Sequence, residues 1–316
     1  MGISKKSWTG VAKEATPGTA MATPTLYVPT KTTFKGGKKR EYLNEERGDR
    51  NENYGVVDSI RQSAVNIKGP WYNDAHGYFL YGAMGVDTPT QPNAGTAPTV
   101  WKHSFSLGDI PPSFTMFRSL DTKAYYVPYS VVEKFKLSFA SEGKLLEMEA
   151  DMLGLYAQPI ASPPTPSYSS LLPFAGYLPT ITLASGVSTD IIELALEFDQ
   201  KITLWYPANG SQDFITVYFG SRKLTGSFTA RFDNTTIYDK WRNNTNDSLQ
   251  IDFQGANIAS TYNQELNINI PVITYDDAEH DLGKDNVLIK TKFTALATTT
   301  QFFSAFIQNT IASYAS

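Results

Sequence analysis

The run Val131-Val132-Glu133-Lys134-Phe135-Lys136-Leu137-Ser138-Phe139-Ala140-Ser141-Glu142-Gly143-Lys144-Leu145-Leu146-Glu147-Met148-Glu149-Ala150-Asp151-Met152 decides the fold. Phe135, Leu137 and Phe139 alternate with Lys134, Lys136 and Ser138. After Glu142-Gly143, Leu146, Met148, Ala150 and Met152 alternate with Glu147, Glu149 and Asp151. A period of two gives a strand one face for a core and one for water. With Glu142-Gly143 as the turn, Phe139 opposes Leu146, Leu137 opposes Met148 and Phe135 opposes Ala150, while Lys136 faces Glu149 and Lys134 faces Asp151. A slip of one residue destroys both the apolar and the ionic matches, so the register is well specified.

Residues 191–206 repeat the pattern. Ile192, Leu194, Leu196, Phe198, Ile202, Leu204 and Tyr206 share one face, and Glu193, Ala195, Glu197, Asp199, Lys201 and Thr203 the other. Asn209-Gly210 supplies a hairpin turn toward a return strand at Phe214–Phe219. Further strands are expected at 225–232, 249–253, 264–274 and 286–296. Helices are expected from Asn73 or Asp74 to Gly85, from Thr235 to Arg242, and over Gln301–Tyr314, where Phe303, Ile307, Ile311 and Tyr314 have helical spacing. The fold class is mainly β, a β-sandwich or split barrel with long hairpins and two or three short helices.

Outside these strands, residues 1–30 read as an N-terminal arm of extended, turn-forming chain, and 31–62 as a long exposed loop. In that loop Lys38, Lys39, Arg40, Glu45, Glu46, Arg47 and Arg50 crowd together with few apolar neighbours. Residues 63–316 are expected to form the β-sandwich domain, with 153–190 and the C-terminal part either core or added decoration.

Among 316 residues there is no cysteine and there are three scattered histidines, so thiolate chemistry and His-pair metal sites are excluded. The formal net charge of −4 argues against a basic nucleic-acid binder. No phosphate loop, dinucleotide fingerprint or Gly-x-Ser-x-Gly element occurs. The acidic stretch 276–285 lacks the order of an EF-hand and reads as a surface loop. These readings describe a protein that is no enzyme and needs no cofactor or metal. No signal peptide or membrane span is read, so synthesis in the cytoplasm is expected. Two stripes stand out among the polar residues: Glu147, Glu149 and Asp151, with Lys134 and Lys136 opposite, and Glu193, Glu197 and Asp199. They fit a solvated sheet face or the wall of a conduit whose net acidity keeps DNA from sticking.

Several segments, in order along nearly the whole chain, are similar to the tail tube (major tail) proteins of long-tailed bacteriophages. They are Gly10-Val11-Ala12-Lys13-Glu14-Ala15-Thr16-Pro17-Gly18-Thr19-Ala20, Gly77-Tyr78-Phe79-Leu80-Tyr81-Gly82-Ala83-Met84-Gly85, His103–Leu107 with Pro111–Met116, the hairpin 131–152, Gly220–Thr229 and Asn267-Ile268-Asn269-Ile270-Pro271. The resemblance implies a structural virion protein whose copies form stacked rings, usually hexameric, with hairpins merging into one barrel around an acidic lumen that conducts DNA. It implies partners as well: further copies of the chain, a tape-measure protein, and tail-tip and terminator proteins. Carried over to this chain, it makes Glu147, Glu149, Asp151, Lys134, Lys136, Glu193, Glu197 and Asp199 lumen candidates, and Lys38, Lys39, Arg40, Glu45, Glu46, Arg47 and Arg50 inter-ring contacts. The length exceeds that of compact family members and leaves room for a duplicated domain, which would give a trimeric ring of pseudo-sixfold shape. The alternative is a β-sandwich that binds carbohydrate or a receptor through aromatics such as Trp71, Trp101 or Trp205.

Overall fold

A computed structural model describes residues 4–184, 186–282, 286–298 and 301–315. In chain order the elements are β1 Trp8–Lys13, β2 Leu26–Val28, β3 Lys31–Leu43, β4 Gly55–Pro70, α1 Gly77–Met84, β5 Gly85–Thr90, β6 Trp101–Leu107, β7 Phe114–Ser119, β8 Ala124–Ala140, β9 Glu147–Gly154, β10 Gln158–Ile160, β11 Pro179–Leu183, β12 Gly186–Ser188, β13 Ile191–Trp205, β14 Thr216–Arg231, α2 Thr236–Arg242, β15 Asp247–Ala259, β16 Tyr262–Asp281, β17 Leu288–Ala295 and β18 Ser304–Asn309. The protein is mainly β, and all its ladders are antiparallel.

One long sheet has the order β3-β4-β9-β8-β13-β14-β17-β16. Two further sheets branch from it, because β8 and β16 are long enough to belong to two sheets each. The first half of β8 joins β2-β1-β7-β8-β10, and the first half of β16 joins β12-β11-β15-β16-β18-β6-β5. The apolar faces of the sheets and α1 enclose the main core, including Phe135, Leu137, Leu194, Leu196, Phe198, Ile268 and Phe303, and smaller clusters form around Trp8 and Phe117 and around Val131 and Phe214.

This topology is a duplication. β1, β2, β3, β4, α1, β7, β8, β9 and β10 correspond in order and pairing to β11, β12, β13, β14, α2, β15, β16, β17 and β18. β4 and β14 are both 16 residues long, and β9 and β17 both 8. The bulges coincide too. One lies between Lys38 and Arg40 in β3 and between Gln200 and Ile202 in β13; another lies between Val132 and Lys134 in β8 and between Tyr275 and Asp277 in β16. Bulges bend a strand at a fixed place, so matching bulges indicate matching shape. Among the described residues β5 and β6 have no counterpart, and they extend the second branch sheet.

The hairpin register is as expected from sequence: Phe135 opposite Ala150, Lys136 opposite Glu149, Leu137 opposite Met148 and Lys134 opposite Asp151. Gly143, in the turn, takes the left-handed φ of 66° that favours glycine.

Other expectations need correction. Residues 31–62 are not a loop throughout: 31–43 and 55–62 pair as β3 and the first half of β4, with Thr32 buried and Phe34 half-buried, and only 44–54 connect them as exposed chain. Backbone pairing and two inward side chains hold a strand that composition made look unstructured. The N-terminal residues are not a detached arm either, since β1 is buried and bonded to β7 and β2. The stretches 214–219 and 225–232 merge into β14. The loop that joins it to β13 is 206–215, and Asn209-Gly210 lies within it as expected, with Gly210 at φ 81°.

The C-terminal segment is a strand, β18, and not a helix. Phe303, Ile307 and Tyr314 are buried as their apolar character demands, but β18 fills a slot between β16 and β6, where its backbone groups find partners. α1 starts at Gly77 and ends at Gly85, whose φ is 98° and whose N–H bonds Tyr81 O. Asp74, expected as its cap, instead accepts hydrogen bonds from Thr310 N–H and Oγ1 at 3.1 Å each. The acidic stretch is also β-structure as far as Asp281, while Gly283–Asp285 lie outside the described residues.

Candidate functional site

Both stripes of candidate residues lie on one face of the long sheet, side by side. β8 pairs with β9 on one flank and β13 on the other, so Lys136 sits between Glu149 and Glu197, and Lys134 between Asp151 and Asp199. Extending the ladders gives two rows across the sheet. One runs Lys68, Glu149, Lys136, Glu197, Thr225; the other runs Asn66, Asp151, Lys134, Asp199, Lys223. Charge alternates along each row. Lys68 Nζ lies 3.3 Å from Glu149, Lys136 Nζ 3.3 Å from Glu197, and Lys134 Nζ 3.4 Å from Asp199 and 3.7 Å from Glu197. Asn66 Nδ2 donates to Glu149 Oε1 at 2.9 Å and to Asp151 Oδ1 at 2.7 Å.

These contacts govern protonation. The Asn66 hydrogen bond first, then Lys68, lowers the Glu149 carboxyl below its ordinary value. The charge of Asp199 raises the Lys134 ammonium. At the β8 bulge, burial pushes Glu133 up. Pairs this exposed contribute about 0.2–1 kcal/mol each, so they fix register and surface potential more than stability.

The second module continues the face. Lys292 lies 3.3 Å from Asp277 and Lys290 2.6 Å from Asp281, with Glu193 and Glu279 beside them. The acidic stripes are therefore interleaved with lysines from strands that sequence reasoning did not connect to them. Alternation of Lys290 and Lys292 with Ile289, Thr291 and Phe293 was the available signal. The pairing of Asn66 and Lys68 with β9 left none.

Equivalent positions in the two modules carry opposite charge. Lys31 and Lys35 of β3 correspond to Glu193 and Glu197 of β13. Lys134 and Lys136 of β8 correspond to Asp277 and Glu279 of β16, and Glu149 and Asp151 of β9 to Lys290 and Lys292 of β17.

The seven residues expected at inter-ring contacts lie at the far end of the β3–β4 hairpin. Lys38 and Arg40 pair with Asp58 at 3.4 and 3.0 Å, Lys39 pairs with Glu41 at 2.7 Å, and Arg47 pairs with Glu45 and covers the Tyr54 ring. Glu46 and Arg50 are exposed in the connecting segment. Around them Tyr42, Leu43, Val56 and Val57 are exposed apolar side chains. The equivalent β13–β14 tip exposes Trp205, Ile215 and Tyr218.

Of the three tryptophans expected in a glycan site, Trp71 is fully buried and donates Nε1–H to Asn73 Oδ1, which removes it from any exposed platform. Trp101 is half-buried, and only Trp205 is exposed. Among the described residues no group of three or more His, Asp and Glu side chains is arranged to hold a metal ion.

The fold is an antiparallel β-sandwich whose long sheet carries a core on one face and interleaved charges on the other. The phage tail tube protein family matches residues 6–301, and the chain belongs to that family. No curated protein matches the chain.

Proposed function

We propose that this chain is the building block of a tail tube. Copies close into rings, rings stack, and the charged face of the long sheet lines the channel that conducts DNA during ejection. The supporting observation is the long sheet itself. It has a core on one side and interleaved charges on the other, and at its two ends β3 and residues 274–281 of β16 have no ladder partner beyond β4 and β17 among the described residues. Closing a sheet into a barrel removes such edges. A ring of six four-stranded modules then needs three chains and not six, because each chain carries two. Lysines engaged by carboxylates on that face leave few free cations to grip phosphates, so DNA passes without being held. The hairpin tips, with the contact residues around Lys38 and Arg47, meet the next ring. Family membership supports a place in the virion tail; in this reading the tube is assembled in the host with tape-measure, tail-tip and terminator proteins.

Electron microscopy of the purified protein tests this reading: stacked rings are expected, and a monomer that binds glycans instead would favour the receptor-binding alternative. The variant Glu147→Lys/Glu149→Lys/Asp151→Lys should still form rings but slow DNA passage. Normal infectivity of a phage carrying it would remove these residues from the lining.

A further inference from the structure

We propose that copies of this chain join by antiparallel pairing of β16 in one copy with β3 of the next, in a register that sets Glu279 against Lys35. The proposal rests on the ring reading above and adds the edges, the direction and the register.

The structure contains a template for this joint. Within one chain the first module meets the second through β8 and β13, and there Lys136 opposes Glu197 and Lys134 opposes Asp199. β16 is the equivalent of β8, and β3 the equivalent of β13, by ladder position and by coincident bulges. The helices agree: α1 packs on β8 and α2 on β16. Lys136 then corresponds to Glu279, and Glu197 to Lys35. Transferring the internal register brings Glu279 opposite Lys35, Asp281 opposite Thr33 and Asp277 opposite Gly37.

Charge supports the transfer. The internal joint sets a basic strand, β8, against an acidic one, β13. Because the modules have opposite charges, the external joint sets an acidic strand, β16, against a basic one, β3, and complementarity is kept with its sign reversed. The free stretch of β16 carries Asp276, Asp277, Glu279 and Asp281; β3 carries Lys31, Lys35, Lys38, Lys39 and Arg40. Lys35 and Glu279 are exposed and have no ion pair among the described residues. Pairing β3 with β3, or β16 with β16, would juxtapose like charges, which is unfavourable across a ladder. The edges thus select head-to-tail association, the kind that closes into rings, over a two-fold dimer. Addition of a strand to a free edge supplies the backbone hydrogen bonds that these positions otherwise draw from water.

The absence of cysteine makes the register directly measurable. Lys35→Cys/Glu279→Cys should give, on oxidation or with a short bis-maleimide, a ladder of covalent multimers that ends at the number of chains per ring. Each single variant should give no ladder. Lys136→Cys/Glu197→Cys, the internal equivalent, should crosslink within one chain and serve as the positive control. In parallel, Lys35→Glu or Glu279→Lys alone should suppress ring formation at least tenfold, and the two together should restore it. Tubes that form normally while the 35–279 pair stays uncrosslinked, or a double charge swap without rescue, would overturn the pairing and leave the tube reading standing. A wild-type protein that forms neither rings nor tubes would overturn both.

Discussion

Arg61 and Asp213 lock two hairpins together across 152 residues of sequence. The guanidinium Nε and Nη2 each donate to a carboxylate oxygen at 2.7 Å, and the Arg61 backbone N–H bonds Gln212 O at 3.0 Å. β8 leaves the long sheet at its bulge, and beyond that point the loop 206–215 reaches across to β4. Tyr206 adds a hydrogen bond to Gln62 at 2.7 Å. Bidentate pairing is stronger than a simple ion pair, but both groups are about one-third exposed. Asp213→Ala should therefore cost only about 1 kcal/mol of global stability. Its larger effect should be local: amides in 206–215 should exchange much faster with solvent, and unchanged exchange there would refute the lock.

The strands that alternate cleanly were legible because one side of each is buried and one is not. Phe135, Leu137, Met148 and Leu196 defined the core face, and Lys136 with Glu149 defined the register. The duplication was hidden because a sheet face constrains polarity and leaves sign free. Lys35 and Glu197, or Lys136 and Glu279, occupy equivalent places with opposite charge, so the modules share almost no residue pattern. β18 was misread because Phe303 and Ile307 fit helical spacing, while the partners that make it a strand, Leu266 and His103, lie far away in sequence. The candidate lining was half legible. The acids were found, but the lysines of β4 and β17 that interleave with them come from ladders no local pattern announces.

Glu14 lies within one of the segments on which the family resemblance rested, and it organises the N-terminal sheet. Its carboxylate accepts hydrogen bonds from Ser113 Oγ at 2.7 Å, Thr115 Oγ1 at 2.9 Å, and the N–H groups of Gly18 and Tyr129 at 2.8 Å each. Removing a buried acceptor leaves its donors without partners, at about 1–3 kcal/mol per group. Glu14→Ala should lower the midpoint of thermal unfolding by more than 5 °C for a loss of several kcal/mol. Glu14→Gln, which keeps one acceptor oxygen, should lose less. Equal behaviour of the two variants would show that the charge, and not acceptor geometry, matters.

Tyr314 fastens the C-terminal segment to the core. It is fully buried against Tyr78 and His103, and its hydroxyl contacts Asn309 Nδ2 at 2.6 Å and Asp74 O at 2.8 Å. A Cβ added at Gly77 would lie 2.1 Å from its ring. Two variants probe the same contact from opposite sides. Tyr314→Ala opens a cavity and should cost about 3–5 kcal/mol, and Gly77→Ala overfills the site and should cost about 1–3 kcal/mol. Chemical denaturation measures both. The double variant should be less destabilised than the sum, since removing the ring makes room for the methyl.

The exposed apolar residues of the hairpin tips should matter for stacking and not for folding. Tyr42→Ser/Val57→Ser changes side chains that are 61% and 54% exposed, so the monomer's unfolding midpoint should stay within about 0.5 kcal/mol of the wild type. Tube length in electron micrographs should shorten. Deleting 44–54 should do the same more strongly, and full-length tubes from that deletion would remove the tip from ring-to-ring contact.

A buried histidine and a half-buried glutamate give the stability profile opposing slopes with pH. His76 is wholly buried, its Nδ1 accepts the Tyr72 N–H at 2.9 Å, and burial holds its pKa down to about 3 against an ordinary 6.5. The unfolded chain binds a proton at this site below pH 6.5 and the folded chain does not. Stability is therefore lost as pH falls from about 6.5 toward 3, by about 1.4 kcal/mol per unit. Glu265 behaves oppositely. Burial, and then Asp252 beside it, push its pKa up to about 7 from 4.5. The folded chain keeps this proton where the unfolded chain has released it, so its contribution is full below pH 4.5 and is lost as pH rises through 7. Glu265→Gln should match the wild type near pH 4.5 and exceed it in unfolding midpoint at pH 8. His76→Asn, which retains an acceptor for Tyr72, should flatten the acid limb between pH 6.5 and 4 whatever its effect on absolute stability. Thermal melts of the three proteins across pH 4–8 separate the groups. An acid limb unchanged in His76→Asn would mean that some other group takes up the proton on unfolding.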